Sequence, residues 1–230
     1  MKTRLPLQEE ITLLALRDRE GTIASSTTYP YAVGGAVLAE LLLSGRVAVD
    51  EERKKKYPRV VSREPLGDPV IDECLERVAN AKKRATLQTW VTRFAGVKNL
   101  KHRVAGELCR RGILRTEEDK ILLIFSRKIY PEVDPRPEHE IVERLRHAIF
   151  TDSRDVDART VVLLSLARAA DLLKGNFDKR ELKSRKERIE RVVNGEATGK
   201  ATREAIEAMQ AAVMVAVFVP VIAAAASHSR

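Results

Sequence analysis

Aromatic residues make up only 4% of this 230-residue chain, with Trp90 as the one tryptophan, and cysteine occurs only as Cys74 and Cys109. Each cysteine sits in an apolar-periodic segment. That excludes a disulfide framework and suits buried free thiols in a reducing compartment. A glycine-rich phosphate loop is also lacking, as are zinc-ligand spacings and any local feature that would make either cysteine a nucleophile. The chain therefore reads as a non-enzyme, with no cofactor and no metal implied. Between Met1 and Leu16 there is no apolar leader segment, and Glu9 and Glu10 interrupt what hydrophobicity exists, so a cytoplasmic location is the expectation. The longest uncharged apolar run, Ala211 to Ala226, falls short of the roughly 20 residues a membrane-crossing helix needs, and Pro220 breaks its hydrogen bonding. A buried core helix is expected there, with a tail anchor as the alternative.

Hydrophobic content of 44% beside 33% charged residues is ordinary for a globular protein, and abundant Leu, Ala and Val favour helices. The expected fold is mostly α: a single helical domain over residues 1–230, built around buried apolar helices, with one or two short β-hairpins. Net charge is +9, from 42 Lys and Arg against 33 Asp and Glu, which points to an anionic partner such as membrane headgroups or nucleic acid without choosing between them.

Apolar spacing predicts a first helix over Pro6–Arg17 ending at Gly21, then a Ser/Thr-rich loop over Thr22–Tyr31. A second helix is expected over Val33–Leu43, with Gly34 and Gly35 permitting close approach of another backbone. Arg46–Asp50 and Arg59–Arg63 pair as strands across a basic linker containing Arg53, Lys54, Lys55 and Lys56. Asp68 and Pro69 form a cap and first turn for a helix ending in Lys82, Lys83 and Arg84 as charges that complement its dipole. Thr86–Phe94 is a short helix with Trp90 in the core, and Asn99–Arg111 is another, closed by Gly112. A hairpin of Ile113–Arg115 and Ile121–Phe125 about a polar turn Thr116–Lys120 is expected next, and then an irregular tract Ser126–Pro137.

A helix leading into a hairpin also resembles a winged helix, and Lys101, His102, Arg103, Arg110 and Arg111 make that helix basic. No pattern specifies a base-reading face, so nucleic acid is the alternative partner rather than the expected one. Glu138–Phe150 is amphipathic; His139, Glu143 and His147 share one face that is read as solvent-exposed rather than metal-binding. Asp155 or Asp157 opens a nearly continuously apolar helix running to Gly175. Lys179–Val193 is charged throughout, with Glu181, Glu187 and Glu190 balancing most of its cations, and is expected outside.

The run from Leu5 through Glu9-Glu10 and Leu13-Leu14 to Asp18-Arg19-Glu20-Gly21 resembles the opening of the Golgi phosphoprotein 3 family. Glu40-Leu41, Gly45-Arg46, Gly67-Asp68, Asp72-Glu73, Gly112-Ile113-Leu114, Leu122–Phe125, Asp157, Arg159, Leu166-Ala167, Asp171 and Phe177 extend the likeness along the chain. The resemblance implies a mostly helical domain that binds phosphatidylinositol 4-phosphate at membranes and acts as an adaptor for protein clients. It also implies that the apolar C-terminal helix belongs to the folded domain. The resemblance implies a headgroup pocket that uses a Trp and an Arg from the segment between the Asp-Arg-Glu-Gly motif and the second helix, plus two Arg one turn apart near the helix ending at Gly112. The second pair falls on Lys98 and Lys101; the first falls near Ser25 and Ser26 and on Gly34, so those two side chains are missing here. Lysine keeps the charge without the bidentate fork of arginine. A start close to the first helix is read as lacking the basic arm of eukaryotic relatives.

The expected function is thus a non-enzymatic, cytoplasmic, peripherally membrane-associated domain whose partners are anionic lipids, phosphatidylinositol 4-phosphate among them, with protein clients and a homo-oligomer as further partners. Headgroup binding is assigned to Lys98, Lys101 and Arg103. Arg127, Lys128, Ile129 and Tyr130 mix charge with apolar tips as at a membrane interface, with an oligomer contact or plain loop as the alternative. The alternatives for the whole chain are a winged-helix-like nucleic-acid binder and a protein-interaction scaffold that has lost lipid binding.

Overall fold

The computed structural model describes residues 4–17, 21–23, 27–52, 55–121 and 125–196. The apolar run Ala211–Ala226 therefore lies outside the described residues, as do Ser25 and Ser26, the Asp18-Arg19-Glu20 triplet, Leu122 to Ile124, and Arg53 and Lys54 of the basic linker.

Helix α1 (Leu7–Leu14) sits where a surface helix would not: all eight of its residues are buried, including Gln8, Glu9, Glu10 and Thr12. Around it pack α2 (Tyr29–Leu43), α5 (Leu100–Arg110), α6 (Arg136–Phe150), α7 (Ala158–Ala169) and the short α8 (Leu173–Asn176). Helices α2 and α7 are apolar on all sides, with Ala32–Ala39 and Thr160–Ala167 continuously buried, as a helix wrapped by other helices should be. Their flanks are covered by α3 (Pro69–Ala79) and α4 (Leu87–Ala95) on α2 and by α10 (Lys186–Val193) on α6 and α7, with α9 (Lys179–Ser184) beside α8 and α10. The buried apolar side chains form one contiguous cluster.

Because α1 has no exposed face, its polar residues draw their partners from several neighbouring segments, with Gln8 Oε1 left without a hydrogen bond. Pro6 offers no capping side chain, so the Leu7 N–H donates to Glu40 Oε2 of α2 at 2.8 Å. Gln8 Nε2 donates to Asp68 Oδ2 at 3.0 Å, while Asp68 Oδ1 accepts from the Val70 and Ile71 N–H groups and so caps α3. Glu9 meets Arg111 at 3.0 Å just past the end of α5, and Glu10 meets Arg144 of α6 at 2.9 Å. Arg159 of α7 forks onto both oxygens of Glu40 at 3.0 and 2.8 Å and also donates to the Leu5 carbonyl. Thr12 shares a hydrogen bond with the Tyr29 hydroxyl at 2.9 Å, and Asn176 of α8 donates to the Leu14 carbonyl at 3.0 Å.

Three antiparallel pairs complete the described residues: β1 (Leu16–Arg17) with β2 (Thr22–Ile23), β3 (Val47–Glu52) with β4 (Lys55–Val60), and β5 (Glu117–Ile121) with β6 (Phe125–Ile129). Several boundaries differ from the sequence expectation, each for a local reason. The first helix stops at Leu14 because Leu16 and Arg17 turn into β1, and Gly21, at φ +59, takes the left-handed conformation the reversal needs. The expected loop Thr22–Tyr31 holds β2 and the first turn of α2, where Pro30 is tolerated. Lys55 and Lys56 join β4 rather than a linker, Lys55 lying opposite Glu52. Helix α3 ends at Ala79, so Lys82, Lys83 and Arg84 lie past it; Arg84 pairs with Glu52 at 2.7 Å and covers the Tyr57 ring.

The largest shift is in the hairpin after α5. Its strands are the polar segments on either side of the apolar run, because register places Glu118 opposite Lys128 and Asp119 opposite Arg127, with a 2.8 Å ion pair in the second case. Helix α7 ends at Ala169, not Gly175: Asp171 adopts φ +59 and the Leu172 N–H returns to the Ala167 carbonyl at 2.8 Å. The charged segment Lys179–Val193 breaks at Arg185, and Arg188 turns inward to donate to the Ala148 and Ser153 carbonyls at 3.1 and 2.6 Å. Trp90 is buried as expected, and Asp157, rather than Asp155, caps α7 by accepting from the Thr160 N–H.

Two glycines and one carboxylate give checks on this packing. A Cβ at Gly34 would lie 2.7 Å from the Val91 carbonyl oxygen and 2.9 Å from the Ala95 nitrogen, both backbone atoms of α4, whereas one at Gly106 of α5 meets nothing within 4 Å. Gly34→Ala should therefore lower stability by about 2 kcal/mol despite its gain in helix propensity, and Gly106→Ala should raise it by up to ~1 kcal/mol, both read by denaturant unfolding. Burial pushes the Glu9 carboxyl from 4.5 up to about 7 against the pull of Arg111. Since the folded state holds that proton more tightly, stability should be greatest below about pH 4.5 and fall as pH rises towards 7, by on the order of 2–3 kcal/mol from this group. Unfolding measured across that window should show a shallower slope in Glu9→Gln.

Candidate functional site

The cleft that gathers cations lies between strand β2, the start of α5 and strand β6. It holds about 610 Å³ and is lined by Thr22, Ile23, Asn99, Lys101, His102, Arg127 and Lys128. Local sequence explains how these segments meet. Asn99 takes a left-handed backbone at φ +56, turning the chain into α5, which buries Leu100, Val104, Ala105 and Leu108 and leaves Lys101 and His102 half-exposed. Tyr130, at the end of β6, joins the other two walls: its N–H donates to the Gly21 carbonyl at 2.6 Å and its hydroxyl shares a 2.7 Å hydrogen bond with His102 Nδ1. Gly21 is required there a second time, because a Cβ would lie 2.7 Å from the nitrogen of Pro131.

The charge in this cleft is unbalanced. Neither Lys101 nor Lys128 takes part in an ion pair among the described residues, although Glu118 sits opposite Lys128 in the ladder. Arg127 is engaged by Asp119 at 2.8 Å and adds less. His102 is held below its ordinary value, first by burial and then by the like charges of Lys101 and Lys128. Two uncompensated lysines beside an imidazole that resists protonation make a site an anion would stabilise. Burial raises the Tyr130 hydroxyl, keeping it a neutral hydrogen-bonding group.

The structure brings together Lys101, Arg127 and Lys128 from the residues assigned in the sequence, although 26 positions separate the first two. It does not bring in the rest. Lys98 is exposed and outside the lining. Arg103 points to the other side of α5, where it pairs with Glu73 at 2.6 Å and reaches the Pro69 carbonyl. Ile129 is half-buried, and Tyr130 is only 3% exposed, so the expectation that it forms an apolar tip at a membrane interface is corrected: it is the peg that closes the cleft. His102, Asn99, Thr22 and Ile23 were not assigned beforehand; a histidine next to a lysine at a helix start carries no signal until its partner at Tyr130 is known.

Other readings of α5 and its neighbours fare less well. Arg103, Arg110 and Arg111 are all paired with carboxylates, Glu73, Glu107 and Glu9 in turn, which leaves no row of free side chains for base edges. His139, Glu143 and His147 are exposed, with Glu143 bound to Arg146 at 3.1 Å. Among the described residues no group of His, Cys, Asp and Glu converges as metal ligands would. Cys74 is buried, which pushes its thiol up to about 12, and Cys109 is half-buried against Thr116; both are free.

A family model described as Golgi phosphoprotein 3 (GPP34) matches residues 7–209, from the first residue of α1 past the end of α10. The chain belongs to the Golgi phosphoprotein 3 family. One similar relative is the vacuolar protein sorting-associated protein 74 of Schizosaccharomyces pombe (strain 972 / ATCC 24843), 23% identical over 221 residues, which is 82% of this chain. The alignment takes in 65% of that relative, so the chain spans less than two thirds of the curated relative's length. The match to the Golgi phosphoprotein 3 family covers the whole described cleft and stops at Met209, two residues before the apolar run Ala211–Ala226.

The electrostatics of the cleft can be checked without a ligand. The His102 ring protons, followed by NMR against pH, should titrate below the ordinary imidazole value of about 6.5. Lys128→Ala should move that titration upwards by removing a like charge, and Arg103→Ala should leave it in place.

Proposed function

We propose that this chain is a non-enzymatic, peripheral membrane-docking domain that takes the phosphate of anionic lipid headgroups into the cleft of Lys101, His102 and Lys128, with Arg127 at its rim. The observation that carries this reading is the convergence on one concave site of Lys101 from α5 and Lys128 from β6, neither in an ion pair among the described residues. A net charge of +9 draws the whole molecule to an anionic surface, and the cleft gives that attraction a place to act. No helix among the described residues is long and apolar enough to cross a membrane, which fits docking from one side.

Phosphatidylinositol 4-phosphate is the headgroup that family membership suggests, and an adaptor role that presents protein clients at a membrane is the wider function it suggests. Selectivity should be modest. The position where the resemblance places a family headgroup arginine is Gly34, which is buried and in van der Waals contact with the α4 backbone, so no side chain fits there. Lysines supply charge without the planar fork that reads a phosphate bidentately.

Co-sedimentation with vesicles tests this. Binding should rise with anionic lipid content, fall with added salt, and weaken about 30-fold in a Lys101→Ala, Lys128→Ala double variant, from roughly 1 kcal/mol for each lysine. Lys98→Ala should have a smaller effect and Arg103→Ala almost none. At equal surface charge, phosphatidylinositol 4-phosphate should exceed phosphatidylserine only a few-fold. Equal binding by the double variant and the parent chain would overturn the assignment of the cleft.

A further inference from the structure

A second cleft, of about 280 Å³, opens between the end of α7, α8, α9 and the start of α10, and no residue lines both it and the headgroup cleft. Its floor is apolar: Leu173 and Ile189 are each 6% exposed, and Leu182 is half-buried beside them. Its rim is cationic, but the cations differ in their engagement. Arg168 is bound to Glu190, and Lys174 to Asp171 at 2.8 Å. Lys179, Lys183 and Lys186 are exposed and take part in no ion pair among the described residues. The first two lie one helical turn apart on α9, and the third begins α10 across the break at Arg185.

A plain solvated face would not combine these features. An apolar floor gains from being covered, and three neighbouring ammonium groups outside any ion pair, of which Lys186 feels the Glu190 carboxylate at longer range, gain from carboxylates brought to them. The cleft is smaller than the 300–1,000 Å³ usual for small-molecule sites, and its size suits one or two apolar side chains anchored between charged neighbours. The geometry points to a docking site for an acidic peptide segment of a partner protein, seating an apolar side chain on Leu173, Leu182 and Ile189 and setting carboxylates on Lys179, Lys183 and Lys186. In an adaptor this is where a protein partner would be held while the other cleft holds the membrane. The site itself rests on its own residues and stands or falls separately from the lipid reading.

The test uses the full chain. A phage-displayed library of random peptides is selected on it, with counter-selection on the Lys179→Glu, Lys183→Glu double variant, whose exposed substitutions leave the fold intact by circular dichroism. Recovered peptides should carry Asp or Glu around Leu, Ile, Met or Phe. In fluorescence anisotropy they should bind the double variant at least tenfold more weakly, bind the Lys101→Ala, Lys128→Ala variant unchanged, and weaken with salt. Failure to recover acidic–apolar sequences would overturn the proposal, as would equal binding to the charge-reversed chain. So would displacement of the peptides by phosphatidylserine vesicles that themselves lose binding in that variant, since the patch would then be a lipid contact.

Discussion

A helix with no solvent-facing side cannot carry polar residues unless its neighbours answer each of them, and α1 carries four in its eight residues. That requirement organises the molecule. Glu9 and Glu10 are favoured electrostatically in the first turn of a helix, yet at 0% and 1% exposure they would be prohibitively costly alone. Arg111, Arg144, Arg159 and Arg4 answer them, and Glu40 and Asp68 serve at once as partners of α1 and of α7 or α3. Polar contacts therefore fix the angular placement of helices around α1, where apolar packing alone would tolerate rotation. Replacing one partner leaves a buried charge without its counter-charge, so changes here act on the whole bundle rather than on one contact.

The same constraint sets up the cationic cleft. Helix α5 is held near its C-terminal end by Arg111 on Glu9, and at its N-terminal end by His102 on Tyr130. Fixed at both ends, α5 holds Lys101 beside β2, and Tyr130 fixes the end of β6 so that Lys128 lines the same cleft. Burial raises the Tyr130 hydroxyl, so the peg is a neutral group that positions the cations without adding to them. That support from both ends of α5 is what keeps the two lysines lining one cleft.

Much of this was legible in the sequence, and what was missed shares a cause. The Asp68–Pro69 cap, the Thr86 start, the Gly34 contact and the burial of Trp90 follow from rules acting within a few residues, which also narrow the start of α7 to Asp155 or Asp157. The hairpin after α5 was placed on the apolar run because hydrophobicity is the usual strand signal. Cross-strand charge pairing, visible only once Asp119 faces Arg127, chose the flanking segments instead. In the same way Arg103 and Lys101 look equivalent along the helix, and only Glu73, 30 positions away, removes the first from the site. Among the described residues the core centres on α1, α2 and α7. A charged opening turn hid the role of α1 because charge is ordinarily read as exposure.

Arginine and lysine divide the positive charge between them according to their chemistry. The pairs that tie the helices together, on Glu9, Glu10, Glu40, Glu73 and Glu190, are all made by arginine, whose planar fork satisfies a carboxylate with little loss of side-chain freedom. The excess charge then resides on lysines such as Lys101 and Lys128 at one cleft and Lys179, Lys183 and Lys186 at the other. Strongly hydrated and flexible, these suit contacts that form and release. An Arg→Lys exchange within the α1 network would weaken the fold while leaving net charge unchanged, whereas a Lys→Ala exchange at either cleft would lower the positive charge there and leave the bundle intact. Stability and anion attraction are in this way separable properties of one basic chain.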